Sequence, residues 1–135
     1  LRLRDDNETY DVILMDFGIA KFLDDTGSLT GSAAVGTIDY MAPEQIMNST
    51  TVDYRADIYA LGVVLYEVLT GTLPFKGTLA QVLFAHLNQP APDIRQIMPN
   101  ISEDISLAIQ RALQKDPHDR FQSATEFVKA LTGML

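Results

Sequence analysis

The spacing of apolar and polar residues divides the chain into a short strand-like start and a long helical remainder. Residues 1–4 alternate between apolar and basic side chains, which predicts a half-buried strand. Residues 5–8 are polar turn formers and residues 12–15 are all apolar, so we expect a β-hairpin with a buried second strand. Residues 23–37 are rich in glycine and hydroxyl side chains, and they predict an exposed loop of a length that is typical of functional loops.

Helical spacing begins after Pro43 and continues to the end of the chain. The stretch Arg55–Thr70 is apolar on nearly every side, which indicates a buried central helix, and Gly71 is expected to end it. Three further helices are predicted, each preceded by a residue type that caps helices. These caps are Thr78, Ser102 and Ser123, of which the first and the last are predicted to form capping boxes with Gln81 and Glu126.

The same spacing predicts which helical residues face the core. On the central helix the main apolar face is expected to comprise Ile58, Leu61, Val64, Leu65, Val68 and Leu69. On the last helix it is expected to comprise Phe127, Val128 and Leu131. Because a lone hairpin is only marginally stable in water, the core must be helical, with the hairpin packed against it. The predicted fold class is therefore mainly α, a helical bundle with a short N-terminal β-hairpin.

Composition excludes several classes of function. The 135 residues include 10 basic and 18 acidic side chains, and this net charge of −8 argues against binding to a nucleic-acid backbone. The chain has no cysteine, which excludes disulfides and cysteine-ligated zinc. His86 and His118 are far apart and lack the spacing of metal ligands, so we predict packing or surface histidines.

No membrane segment or secretory signal is predicted. The longest apolar run, residues 58–66, is much shorter than the ~20 residues that cross a bilayer. No basic start is followed by an apolar stretch, so we expect a cytoplasmic chain, with any membrane tether outside it. The first residue is Leu1 and not Met, which predicts either a processed chain or a missing beginning.

The first motif that suggests chemistry is Asp-Phe-Gly, which follows the predicted buried strand. A carboxylate at a strand end suits Mg²⁺, which takes one or two carboxylates together with phosphate oxygens. Taken alone, the tripeptide is equally consistent with a turn that ends the strand. The motifs that follow it are Gly-Thr at positions 36–37, Ala-Pro-Glu at 42–44, the Asp at 57 that opens the central helix, Lys-Asp-Pro at 115–117 and Arg120.

Together these motifs resemble those of protein kinases. Residues 36–45 and 120–124 are similar to the bacterial, eukaryotic-like Ser/Thr kinases, and the resemblance covers essentially the whole chain. It implies that residues 1–135 are part of a kinase domain, the mainly helical C-terminal lobe, starting just after the catalytic loop. It also implies an activation loop over residues 19–41 and a helical subdomain over residues 43–132.

The resemblance implies a role in ATP and substrate binding for four residues. Asp16 matches the Mg²⁺-binding aspartate of kinases, which helps to neutralise charge on the transferred phosphate. Phe17 and Gly18 complete that cofactor-binding motif, and the packing of the matching phenylalanine sets the active or the inactive state. Thr37 matches the threonine of the substrate-docking segment, which contacts the catalytic loop.

Further roles that the resemblance implies are structural or regulatory. Glu44 and Arg120 match an internal ion pair that fixes the loop geometry. Asp57 matches an anchor of the catalytic-loop backbone, although an aspartate at a helix start is also a plain cap. Thr30 and Ser32 are the candidate phosphorylation sites of the activation loop, and the alternative for both is a solvated loop.

Several parts that phosphoryl transfer requires do not occur in this sequence. It contains no G-x-G-x-x-G loop, no H-R-D tripeptide and only one of the two Mg²⁺ ligands. We therefore expect Ser/Thr kinase activity, with ATP, Mg²⁺ and protein substrates, only when the missing N-terminal lobe is present. The alternatives are a non-catalytic kinase-like module that binds or regulates a partner, and an unrelated small α+β domain.

Overall fold

The computed structural model describes residues 2–3, 10–11 and 38–133. Strand β1 (Arg2–Leu3) pairs with strand β2 (Tyr10–Asp11) in an antiparallel register that sets Arg2 opposite Asp11. The N-terminus thus forms the expected antiparallel pair, but the second strand begins earlier than the apolar residues 12–15 where the sequence predicted it. Residues 5–8 and 12–15 themselves lie outside the described residues.

Five α-helices account for half of residues 38–133, and this helical structure confirms the mainly helical fold class. Two 3-10 turns separate them, one at Ile94–Gln96 and one at Pro117–Asp119. The helices are α1 (Pro43–Ile46), α2 (Arg55–Thr70), α3 (Leu79–Asn88), α4 (Glu103–Ala112) and α5 (Ala124–Leu131).

Predicted capping residues lie at one end of three of these helices. At the start of α3, Gln81 N donates to Thr78 Oγ1 at 3.3 Å and Thr78 N donates to Gln81 Oε1 at 2.8 Å, which completes the predicted capping box. At the start of α4, Ile105 N donates to Ser102 Oγ at 3.2 Å. Gly71 follows α2 with a φ of 76°, a left-handed conformation that glycine adopts without a steric penalty.

Two predicted caps are wrong in detail. At the start of α5, Glu126 N donates to Ser123 Oγ at 3.1 Å, but Glu126 Oε2 accepts from Gln122 N instead of closing the box. Asp57 is not the N-cap residue of α2, which is Tyr54, and it lies within the first turn instead.

The core is built around α2. One cluster combines Tyr59, Val63 and Tyr66 of α2 with Ile109 of α4 and Ile94 of the first 3-10 turn. A second cluster contacts α2 on another side, through Ile58. Its members are Ile58, Ala108, Ala112, Phe121 and Phe127. Helix α2 therefore contacts its neighbours on two sides, as expected for a helix that is apolar nearly all round.

Two residues that the spacing placed in the core are instead exposed. Val68 of α2 is 72% exposed because it lies two positions, or about 200° of rotation, from the buried Tyr66. Val128 of α5 is 54% exposed because Phe127 occupies the single face that α5 turns inward, about 100° away.

The crossing of α2 and α4 depends on Gly62. A Cβ atom at this position would lie 3.0 Å from Ala112 Cβ and 3.1 Å from Leu113 Cδ2. Only glycine therefore lets the two helices approach this closely without displacing α4.

No helix within residues 38–133 is both long enough and apolar enough to cross a lipid bilayer.

Candidate functional site

The structure describes the part of the predicted site that follows Thr37. Asp16, Phe17, Gly18, Thr30, Ser32 and Thr37 lie outside the described residues. The description resumes at Ile38, next to Thr37, so it shows how the chain after this threonine is attached to the helical core. We call residues 38–41 the docking segment.

The docking segment is fixed to α3 by apolar contacts. Ile38 and Met41 are each only 1% exposed, and both pack against Val82 in the middle of α3. Met41 N donates to Ile38 O at 3.1 Å, which closes a turn within the segment. A change in the position of α3 would therefore move the residues that follow Thr37.

Polar contacts connect the same segment to α2. Tyr40 Oη donates to Glu67 Oε1 at 2.9 Å. Burial, and then the charge of Glu67, raise the pKa of the neighbouring Asp39 carboxyl above its usual range. The docking segment thus contacts both α2 and α3 within four residues.

Glu44 and Arg120 form a buried ion pair directly after the docking segment. Arg120 Nη1 donates to Glu44 Oε2 at 2.7 Å, and Arg120 Nη2 donates to Glu44 Oε1 at 2.8 Å. Glu44 is 5% exposed and Arg120 is fully buried, so this two-point contact is shielded from water. The sequence separation is 76 residues, and the pair connects α1 to the turn before α5.

Every N–H group of the Arg120 side chain has an acceptor. Besides the two bonds to the carboxylate, Nη1 donates to Arg55 O at 2.9 Å and Nη2 donates to Lys115 O at 3.1 Å. Nε donates to Gln114 O at 2.7 Å, and the guanidinium carbon lies 4.9 Å from the centre of the Tyr59 ring. All five donors of the guanidinium are therefore used, which satisfies the requirement for burying it.

A cluster of the buried Tyr59 and His86 with the half-buried Lys115 lies beside this pair. Tyr59 Oη and His86 Nδ1 are 2.7 Å apart, and both side chains are fully buried. Lys115 Nζ donates to Ala85 O at 3.0 Å and lies 4.5 Å from the centre of the Phe75 ring. The sequence predicted a packing or surface role for His86. In the structure its ring packs in the interior and also contacts the polar group of Tyr59.

The pKa values in this cluster are shifted toward the neutral forms. Burial, and then the charge of Lys115, lower the pKa of His86 to about 4. Burial, and then the charge of Arg120, lower the pKa of Lys115 to about 8. Burial raises the pKa of the Tyr59 hydroxyl. At neutral pH His86 is therefore an uncharged imidazole.

Two further acidic residues lie at the start of α2. Asp57 is in its first turn, with an exposed side chain. Asp53, just before the helix, forms an ion pair with Arg55 at 2.9 Å that is more exposed than the Glu44–Arg120 pair. Among the residues that the structure describes, no group of three His, Asp or Glu side chains is placed to hold a metal ion.

Comparison with known families decides which class of protein this helical lobe represents. A family model described as "Protein kinase domain" matches residues 3–131. The chain belongs to the protein kinase family. This match confirms the resemblance to protein kinases that the motifs suggested. The mainly helical fold is that of the C-terminal lobe of a kinase domain.

Among the relatives of this kinase chain are bacterial Ser/Thr kinases. It is 40% identical over 127 residues to serine/threonine-protein kinase PknJ of Mycobacterium tuberculosis, covering 92% of this chain and 21% of PknJ. It is 46% identical over 122 residues to serine/threonine-protein kinase Pkn1 of Myxococcus xanthus, covering 89% of this chain and 18% of Pkn1. The chain thus spans about a fifth of the length of the curated relatives it matches.

A solved kinase structure has the same fold. The twitchin kinase region from C. elegans superposes with a TM-score of 0.62 at 28% identity, covering 73% of this chain and 17% of that chain. This likeness agrees with the mainly helical fold class.

Proposed function

We propose that residues 1–135 supply the C-terminal-lobe part of a Ser/Thr protein kinase, which transfers the γ-phosphoryl group of ATP to protein serine or threonine. The observation that carries this proposal is the rigid attachment of the docking segment. Ile38, Met41 and the Glu44–Arg120 pair fix the chain immediately after Thr37 to the helical core. Such a support suits a surface that must hold a protein substrate in one orientation.

In this proposal the activation loop spans residues 19–41 and the helical subdomain spans residues 43–132. Asp16, within the Asp-Phe-Gly motif that includes Phe17 and Gly18, supplies a carboxylate of the type that Mg²⁺ accepts beside ATP phosphates. The metal, when bound, would neutralise charge on the transferred phosphoryl group. Thr37 would contact the catalytic loop, and Asp57 in the first turn of α2 would anchor the backbone of that loop.

The partners follow from the parts that these 135 residues do not contain. A Gly-rich loop, an ATP-anchoring lysine and a catalytic-loop aspartate must come from an N-terminal lobe and its following loop. We therefore propose that the chain alone does not transfer phosphate, and that it acts on protein substrates in the cytoplasm once joined to that lobe. Any membrane tether would lie outside these residues.

A direct experiment tests this proposal. The purified chain is incubated with [γ-³²P]ATP, Mg²⁺ and a generic Ser/Thr substrate, alone and joined in frame to the N-terminal lobe and catalytic loop of a bacterial relative. We expect transfer only from the joined protein, and loss of transfer in its Asp16→Asn variant. Phosphate transfer by the chain alone, with contaminating kinases excluded, would contradict the proposal. If the chain instead binds a complete kinase and the joined protein transfers no phosphate, the alternative of a non-catalytic regulatory module is favoured.

The phosphorylation sites are tested in the same joined protein. After incubation with ATP, mass spectrometry should find phosphate on Thr30 or Ser32, since an added charge of about −2 can order a loop against arginine side chains. Replacing both residues with alanine should remove that phosphate. An active protein with no phosphate anywhere in residues 26–37 would reject both sites.

A further inference from the structure

A groove between α4 and α5 lies outside the region to which the proposed kinase chemistry gives a role. Its volume is about 260 Å³, and its walls include four apolar residues, Leu107, Ala108, Phe121 and Ala130. Small molecules are usually enclosed in pockets of about 300–1,000 Å³, so this groove is better matched to a side chain of a protein partner. Leu107 lies at the rim and is 55% exposed.

The groove has an acidic end and a basic end. Asp104 lies in the first turn of α4, and a Cβ atom at Gly133, after the end of α5, would lie 3.0 Å from its Oδ2 atom. Arg111 lies in the last turn of α4, with its guanidinium carbon 4.4 Å from the centre of the Phe121 ring. Both charged residues line the groove, and within residues 38–133 neither forms an ion pair. Each charge can therefore pair with a partner.

Asp104, Leu107 and Arg111 form one line along α4, which we call the α4 stripe. Seven positions are almost two full turns, so Asp104 and Arg111 lie about 20° apart round the helix and about 10 Å apart along it. Leu107 lies between them. The opposite side of α4 is closed to partners, because Ile109 is buried against α2. The exposed side thus presents an acid, an apolar side chain and a base in chain order.

This order is complementary to its own reverse. If a second copy of α4 lies antiparallel to the first, about a two-fold axis near Leu107, Asp104 of each copy faces Arg111 of the other. The two Leu107 side chains then meet near the axis, beside the two grooves. Two-fold dimers are the commonest soluble oligomers, and in them the same patch of both copies forms the interface. Three residues of each copy would thus supply two ion pairs and an apolar contact.

We propose that the α4 stripe and the groove beside it form the interface through which two copies of this chain associate as a symmetric dimer. Leu107 of each copy enters the groove of the other, and the two Asp104–Arg111 pairs set the antiparallel register. The interface is small, so the dimer is weak and reversible. The docking segment packs against α2 and α3, so it is not part of this interface.

Single cysteines test the geometry, because the chain contains no cysteine of its own. In Leu107→Cys the two thiols of a dimer lie near the axis, so we expect a disulfide-linked dimer on oxidation with copper phenanthroline. Val128→Cys is the matched control, since Val128 is 54% exposed and does not line the groove, and it should stay monomeric. No cross-link in Leu107→Cys, or equal cross-linking of the two variants, would overturn the proposal.

Charge reversal tests the pairing. Sedimentation velocity from about 10 μM to about 1 mM covers the range in which small interfaces associate. Asp104→Lys and Arg111→Glu should each weaken association by about tenfold or more, because each sets like charges opposite each other at two places. The double variant should restore association, since both pairs then form with exchanged charges. It also opposes the helix dipole at both ends, so restored association cannot come from a more stable helix.

Glu103→Lys is the control for net charge. Glu103 lies in the same helical turn as Asp104 but does not line the groove, so its reversal should have a much smaller effect. Circular dichroism checks that each variant is folded. An equal effect of Glu103→Lys and Asp104→Lys, or a double variant as weak as the single ones, would overturn the proposal.

The unsubstituted chain gives the remaining decisive result. If it stays monomeric up to about 1 mM, a second copy does not occupy the groove, which is the result expected if a segment of a different protein does. Association that none of the substitutions changes would show that the copies meet through another surface, and it would also overturn the proposal. None of these measurements requires phosphoryl transfer, so they decide the dimer interface whether or not the proposed function holds.

Discussion

Replacing Arg120 with methionine tests the energetic argument for the buried ion pair. Methionine roughly fills the volume of the side chain but leaves Glu44, at 5% exposure, without a cation. It also leaves the carbonyl groups of Arg55, Gln114 and Lys115 without the donors that Arg120 supplies. Removing one partner of a buried pair costs about 3–5 kcal/mol, which is a large part of the about 5–15 kcal/mol that stabilises a typical domain.

The assay is urea-induced unfolding of the chain, followed by circular dichroism. Arg120→Met should lower the free energy of unfolding by about 3–5 kcal/mol, and Glu44→Gln by about 3 kcal/mol. The double variant should lose less than the sum, since no unpaired charge then remains buried. Asp53→Asn, in the more exposed pair with Arg55, is the matched control and should have a much smaller effect.

The reasoning is refuted if Arg120→Met lowers the free energy of unfolding no more than Asp53→Asn does. It is also refuted if the two single effects at Glu44 and Arg120 simply add, because a pair in direct contact must show coupling.

Three further predictions concern stability in the same assay. Gly62→Ala should lower the free energy of unfolding by about 1–3 kcal/mol, because its Cβ meets Ala112 at 3.0 Å; no loss would show that α4 shifts freely. From about pH 8 to pH 10 the free energy of unfolding should rise with pH, since the unfolded chain then holds a proton that folded Lys115 has released; a Lys115→Met variant with the same slope would assign the effect elsewhere. Ser123→Ala should lower the free energy of unfolding by about 1 kcal/mol through loss of the bond from Glu126 N, and an unchanged urea midpoint would contradict this.

Local sequence determined the helices well because their ends depend on neighbouring residues. Thr78 and Ser102 cap helices through contacts within three positions, and Gly71 ends α2 by its own conformation. The inward faces were less predictable, since they depend on where other helices lie. Val128 has the same apolar character as Phe127, and only the packing of α5 decides which of the two is buried.

The candidate site was likewise predictable only in part, because its contacts join residues that are distant in the sequence. The resemblance to kinases singled out Glu44 and Arg120, but no local pattern shows that three backbone carbonyls complete the shell around the guanidinium. The burial of His86 had a signal that was not used, because Val82, Ala85 and His86 share one face of α3 at helical spacing, and all three are buried. Its contact with Tyr59 spans 27 residues and could not be read from sequence alone.

The separation of Glu44 from Arg120 has a consequence for how the lobe assembles during synthesis. A ribosome that has added Glu44 must add 76 more residues before the partner of that carboxylate exists. Burying the charge earlier would leave it unpaired, so this part of the chain stays hydrated until Arg120 has been synthesised. The residues after Thr37 are therefore synthesised early, but their ion pair with the rest of the lobe forms only after Arg120 has been added.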